Sequence, residues 1–271
     1  MIKNILDITW KELKSYDNKK TCAFVSVSPI EEHGPYLPLG TDIYLSDSWV
    51  DGVIKECHKK WPSDIFIKYP CLFFGFAEIG YFPGNNYIEK DFLYEILLKY
   101  ISNIAESSVK NIIIISGHAD PFHIITIEKV CDEINRKYGE ICFSPSGALF
   151  SGIIPEKNKS EISEKFEKFP DDFHAGWIET SSMLFLNKKL VKEGYKKAEN
   201  FTVKDYEMIN LKKYYEIMKE NGYIGYPRES DEETGEILQK ETISKLFFLT
   251  EKFIDRIDYK KYSHHFLYGK I

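Results

Sequence analysis

Apolar residues recur along this chain in two periods, and the two periods alternate. Short apolar runs occur at Cys22 to Val27, Ile65 to Phe74, Asn111 to Ile115 and from Ile141 to Phe143. Their length and β-rich content predict strands, and the most apolar of them predict strands buried on both faces of a sheet. Between them, apolar residues return every three to four positions, the period of a helix with one buried stripe. Asp42 to Lys59 carries Trp49, Val50, Val53 and Ile54 at that spacing. Ile88 to Ser107 carries Phe92, Ile96, Leu97, Tyr100, Ile101 and Ile104, and Phe122 to Lys137 carries Ile125, Ile127, Val130 and Ile134. A short helix is expected at Ile8 to Tyr16, with Thr9 as its N-cap and Trp10 and Leu13 on one face. Later helices are expected at Ile178 to Leu190, Tyr206 to Lys219 and Glu232 to Tyr259.

Strand–loop–helix units repeated in this way predict an α/β fold of three layers, α/β/α, with a mostly parallel central sheet. In such sheets ligands meet the loops that leave the carboxyl ends of the strands. The loops after Val27, Phe74 and Ile115 are therefore the candidate site loops. Gly75 to Asn86 is glycine-rich and contains F-P-G. The polar stretch Gly152 to Phe173 is read as an excursion or lid over the site, and Gly222 to Arg228 as a second turn-rich loop. Lys192 to Tyr206 is polar and without period. No repeat, low-complexity segment or linker divides the 271 residues, so a single domain, 1–271, is expected.

Composition narrows the function classes. Hydrophobic residues make up 43% of the chain and aromatics 15%, ample for a substantial core. The net charge of -6 comes from interspersed residues of both signs, which argues against nucleic acid as a partner. No apolar run approaches the roughly 20 residues needed to cross a bilayer, and the first residues lack a signal-peptide core. A cytoplasmic protein without a membrane partner is the expectation. Five cysteines, odd in number and without C-x-x-C spacing, argue against a disulfide framework or a thiolate zinc site. Cys22, Cys71 and Cys142 lie in apolar runs and are read as buried reduced thiols.

The candidate chemistry is concentrated in Ser28 to Asp42, S-P-I-E-E-H-G-P-Y-L-P-L-G-T-D. It supplies Glu31, His33 and Asp42 from a backbone held by three prolines and two glycines. Taken singly, Asp42 reads as an anion at a helix start and Asp120, before Pro121, as a helix cap. His118, Asp120, His174 and Glu179 at later strand and loop ends turn these separate residues into a metal-binding set. Carboxylates and imidazoles without thiolates suit zinc, manganese or iron(II). Two or three carboxylates with two histidines could hold a pair of divalent cations, one carboxylate bridging. Such a pair lowers the pKa of bound water and polarises a carbonyl, the chemistry of hydrolysis. His58, His123, His264 and His265 are read as structural or solvated.

These motifs resemble those of the creatininase (creatinine amidohydrolase) family. The matching segments are E-E-H-G-P-Y-L-P-L-G-T-D at Glu31 to Asp42, F-P-G at Phe82 to Gly84, G-H at Gly117 to His118, and H-A-G-W-I-E-T-S at His174 to Ser181. The resemblance implies an α/β/α fold, two divalent metal ions, hydrolysis of a small amide-type C–N bond, and a homo-oligomer, commonly a hexamer. It implies Glu31, His33, Asp42 and His118 as metal ligands, Asp42 bridging, with Glu179 a further ligand. Asp120 is implied as a ligand or as the base that orients water, and His174 as a proton shuttle. Ser116, Pro121, Asn85 and Ala119 depart from the family pattern around the pocket, which points away from creatinine itself. The expected substrate is a small cyclic or formyl-type amide. Hydrolysis of another bond on the same metals (in a cyclic diketo sugar or a peptide) and a non-catalytic ligand-binding relative are the alternatives.

Overall fold

The structure is a computed structural model. It describes residues 1–17, 20–77, 82–107, 109–154, 160–203, 216, 218–219 and 221–271. Strands β1 (Ile2–Asn4), β2 (Thr21–Ser26), β3 (Ile65–Lys68), β4 (Asn111–Ile115) and β5 (Cys142–Phe143) form one sheet in the order β1-β3-β2-β4-β5, every pairing parallel. The helices named below are α1 (Trp10–Ser15), α2 (Thr41–Lys60), α3 (Lys90–Glu106), α4 (Pro121–Tyr138), α5 (Ser146–Phe150), α6 (Ser163–Lys168), α7 (Trp177–Asn187) and α8 (Glu232–Ile254).

Side chains alternate across a strand, so each buried strand feeds two cores. Phe24, Phe66, Ile113 and Phe143 pack with Trp49 and Val53 of α2 and with Leu249 and Phe253 of α8. Their neighbours Ala23, Val25, Ile67, Ile112 and Ile114 pack on the opposite face against α3 and α4. This double burial is why the central runs read as continuous apolar sequence. The expected three-layer α/β fold is therefore present. β2 lies at the centre, with β3 on one side and β4 on the other. The chain reverses direction across the sheet at that point, the place beyond the carboxyl ends where sheets of this kind hold their ligands.

Several boundaries differ from the expectations. β3 ends at Lys68 rather than Phe74, since Pro70 removes a ladder donor, and Leu72 rejoins through a single bridge to Val27. β1 is unpredicted: three residues long and on the sheet edge, it carries almost no apolar signal. Thr9 caps α1 as expected, but Trp10 is 69% exposed while Leu13 packs inward. Phe92 is exposed as well, because α3 buries Leu93, Leu97, Ile101 and Ile104 instead. α8 stops at Ile254, and Arg256 and Asp258 adopt left-handed backbone beyond it. Cys22 and Cys142 are buried, whereas Cys71 is only partly so.

The described part of 152–173 does not roof the site. Ser160 bonds Glu241, Lys165 pairs with Asp231, and Ile162 is buried with Trp177 and Leu238, so this segment clasps α8. The helix expected at Tyr206 to Lys219 lies almost wholly outside the described residues. Among the described residues no helix is long and apolar enough to cross a membrane.

Candidate metal centre

Two loops and two helix starts converge beyond the carboxyl ends of β2 and β4. The loop after β2 carries Glu31 and His33, and Asp42 sits in the first turn of α2. The loop after β4 carries His118, and α7 brings Glu179 in its own first turn. Glu31, His33, Asp42 and His118 are all buried.

Close backbone packing sets this convergence. Gly117 lies so near the start of α2 that a Cβ there would stand 2.3 Å from the Asp42 carbonyl oxygen. The glycine before His118 thus serves close approach rather than a turn. The Gly117 N–H donates to Ser28 Oγ at 3.0 Å, and the His118 N–H donates to Ser116 Oγ at 3.0 Å.

Each imidazole has one nitrogen spoken for. His33 Nδ1 lies 3.1 Å from the Glu31 carbonyl oxygen, and His118 Nε2 lies 3.0 Å from the Phe76 carbonyl oxygen. A carbonyl only accepts, so those nitrogens carry the hydrogens and the others present lone pairs. His33 Nε2 then faces Asp42 Oδ1 at 3.2 Å and Glu179 Oε1 at 3.7 Å. His118 Nδ1 faces Glu31 Oε2 at 3.0 Å and Asp42 Oδ2 at 3.1 Å. Asp42 therefore addresses two imidazoles with its two oxygens.

Buried Glu31 Oε2, His33 Nε2 and Asp42 Oδ2 have no hydrogen-bond partner among the described residues. Orphaned atoms of this kind are costly unless something else satisfies them. Ligand atoms within 4.8 Å of one another group Glu31 with Asp42 and His118, and His33 with Asp42 and Glu179. The donor set fits a hard or borderline divalent cation. Burial opposes charge on His33 and His118, yet the carboxylates beside them hold both imidazoles well above the ordinary range. Burial likewise opposes charge on Asp42, but the two histidines hold it well below the usual carboxylate range. A field that retains protons so strongly also retains a cation in their place.

The remaining expected residues stand around this set. His174 is buried, its Nε2 lying 2.9 Å from the Glu32 carbonyl oxygen and 3.3 Å from Glu32 Oε1. Its ring centroid is 4.6 Å from that of His33, and its ligand atom also groups with those of Glu31 and His33. Asp120 caps α4, with Oδ1 accepting from the Phe122 and His123 N–H groups, and it joins none of the metal-binding groups. Burial pushes its carboxyl up to about 6.

The family model for creatininase (creatinine amidohydrolase) matches residues 6–249. The chain belongs to the creatininase family. No curated protein sequence matches it significantly. Among solved structures, a crystal structure of creatinine amidohydrolase (creatininase) aligns with TM-score 0.67 and 16% identity, covering 92% of this chain and 97% of that one. A putative creatinine amidohydrolase from Bacteroides fragilis aligns with TM-score 0.67 and 17% identity, over 93% and 96% of the two chains. A mutant creatininase of the Zn–Zn type aligns with TM-score 0.69 and 16% identity, over 92% and 98%. A manganese creatininase aligns with TM-score 0.68 and 17% identity, over the same shares.

Within this creatininase fold, two supporting residues, Glu32 and Asp172, went unrecognised in the sequence, and a third, His123, lies closer to the centre than its reading implied. Glu32 is buried, bonded to the Gly34 N–H at 2.8 Å and set against His174; next to Glu31 it reads as merely solvated. Asp172 accepts from the N–H groups of Trp177, Ile178 and Tyr226, tying the H-A-G turn to the G-Y-P loop. Its carboxylate occupies the space where Gly176 and Gly225 would carry Cβ atoms, which explains both glycines. Burial raises Asp172 to about 7 despite those three donors. His123 is structural as expected, but at the heart of the site: its ring stands 5.2 Å from that of His118. It takes the Phe76 N–H on Nδ1 and faces the Val27 carbonyl with Nε2. Burial, with the neighbouring His118, lowers its pKa to about 3 and keeps it neutral. Only its helical spacing after His118 hinted at this.

Proposed function

We propose that this chain is a metal-dependent amidohydrolase that cleaves the C–N bond of a small cyclic or formyl-type amide. The observation carrying this reading is Asp42, whose two oxygens face two imidazoles that each direct a lone pair inward. Glu31, Asp42 and His118 would hold one divalent cation, and His33, Asp42 and Glu179 a second. Zinc and manganese are the first candidates, with iron(II) also suited to the donors. Bound there, the pair would lower the pKa of a bound water and polarise the scissile carbonyl.

The side chains around the pair supply the rest. An amide nitrogen is a poor leaving group and needs a proton as the bond breaks. In this reading His174 delivers it; its Nε2 stands against the backbone carbonyl and carboxylate of Glu32, which supports that role. Burial and His33 oppose charge on His174, but Glu32 and Glu31 outweigh them and raise its pKa above the ordinary imidazole range. Asp120, half-buried beside the centre, orients the attacking water in this reading. The enzyme is proposed to be cytoplasmic and a homo-oligomer, a hexamer by its family resemblance; light scattering checks the assembly against the chain mass of 31.7 kDa.

Metal analysis tests the centre directly. Protein purified without chelator should carry divalent metal, and Asp42→Ala should lose most of it. Full retention in that variant would refute the bridging role. His174→Ala should keep its metal and lose about 10²–10⁴-fold in kcat. Loss of metal in His174→Ala would make His174 a ligand instead.

A further inference from the structure

His33 and His118 keep their inward lone pairs by different means. The Glu31 carbonyl holds His33 Nδ1 from two residues away in the same loop. The Phe76 carbonyl holds His118 Nε2 from 42 residues away, on the loop after β3. The tautomer of His118 is therefore only as well fixed as the backbone of Phe76.

Phe76 is in turn gripped by a third imidazole. Its N–H donates to His123 Nδ1 at 3.3 Å, and His123 Nε2 stands 3.2 Å from the Val27 carbonyl oxygen. A carbonyl only accepts, so Nε2 carries the hydrogen and Nδ1 is the acceptor. The direction of every bond follows. His123 donates to the chain leaving β2 and accepts from Phe76, while Phe76 accepts from His118, whose Nδ1 is left facing Glu31 and Asp42.

Two further features fit the ring to this place. Asp120 Oδ1 accepts the His123 N–H at 3.1 Å, fixing the first turn of α4, from which the ring projects. Gly75 leaves the room: a Cβ there would stand 2.7 Å from His123 Cε1 and 2.8 Å from Nδ1. His123 is fully buried, and an apolar side chain of its size would fill the space without serving either backbone group.

We propose that His123 is a positioning residue of the metal centre, which acts through Phe76 to hold His118 with Nδ1 open to a cation. The proposal rests on the metal-dependent reading above and adds to its ligands the residue that orients one of them.

Cobalt(II) titration followed by visible absorption tests it, with His33→Ala and His118→Ala identifying the binding step that each imidazole serves. His123→Asn keeps an acceptor at the place of Nδ1, whereas His123→Gln carries its amide out to the place of Nε2. In His123→Asn the His118 step should stay within about threefold of wild type. In His123→Gln it should weaken about 10–100-fold with a changed cobalt spectrum, the His33 step staying near wild type. Loss of ring packing would affect the two variants alike, so equal affinities at the His118 step overturn the proposal. Gly75→Ala presses the ring away from Phe76 with His123 still present and should weaken the same step; wild-type affinity there also overturns it. A wild-type protein that binds no cobalt removes the metal centre and the proposal together, whereas normal cobalt binding with an indifferent His123→Gln removes the proposal alone.

Discussion

Asp42 shows how much a single carboxylate can depend on its surroundings. At the start of α2 it is an ordinary helix-terminal anion; between His33 and His118 it is the centre of the site. Gly117 maintains that arrangement by letting the β4 loop press against the first turn of α2. Gly117→Ala should therefore force the two apart, lowering bound metal and costing roughly 1–3 kcal/mol in urea unfolding. Wild-type metal content and midpoint in that variant would show the contact to be slack. Glu31, His33, Asp42, His118 and Glu179 were legible because side chains of one chemistry stood at predicted strand and helix ends. Glu32 and Asp172 were not. A carboxylate beside a motif looks solvated until distant segments, here His174 and Tyr226, close over it.

At the scale of elements, periodicity located the helices but not always the face they bury. In α3 the sequence offers Phe92 and Leu93 side by side, and rotation against the sheet chooses Leu93. Leu93→Ala should destabilise by about 2–5 kcal/mol, while Phe92→Ala should stay within about 0.5 kcal/mol. Chemical denaturation of the two variants checks this, and comparable losses would contradict the assigned face. The same limit applies to Trp10, whose ring stays exposed although it shares a helix with the inward-packed Leu13. Short edge elements such as β1 are set by pairing alone, with too few residues to express a period.

At the scale of the whole molecule, the C-terminal tail is tied to α4 through a buried acid. Glu128 accepts from the His265 N–H, and burial pushes its carboxyl up to about 8, His265 opposing the rise and Asp132 adding to it. The folded state thus holds a proton that the unfolded chain, titrating near 4.5, releases. This contribution to stability is full below about 4.5 and is lost as pH rises through about 8. Glu128→Gln should therefore gain on wild type between pH 5 and pH 9 in urea midpoint. A constant difference across that range would show that Glu128 does not titrate in the folded protein.

The sequence by itself determined the layered α/β architecture, since buried strands and amphipathic helices express their periods locally. It also determined the set of candidate ligands, whose donor chemistry is intrinsic to each side chain. Only the tertiary structure decided which nitrogen of each imidazole faces inward, which carboxylates are buried, and that the 160–169 segment clasps α8 instead of covering the site. Those choices depend on contacts between residues far apart in the chain, and such contacts leave no period in the sequence.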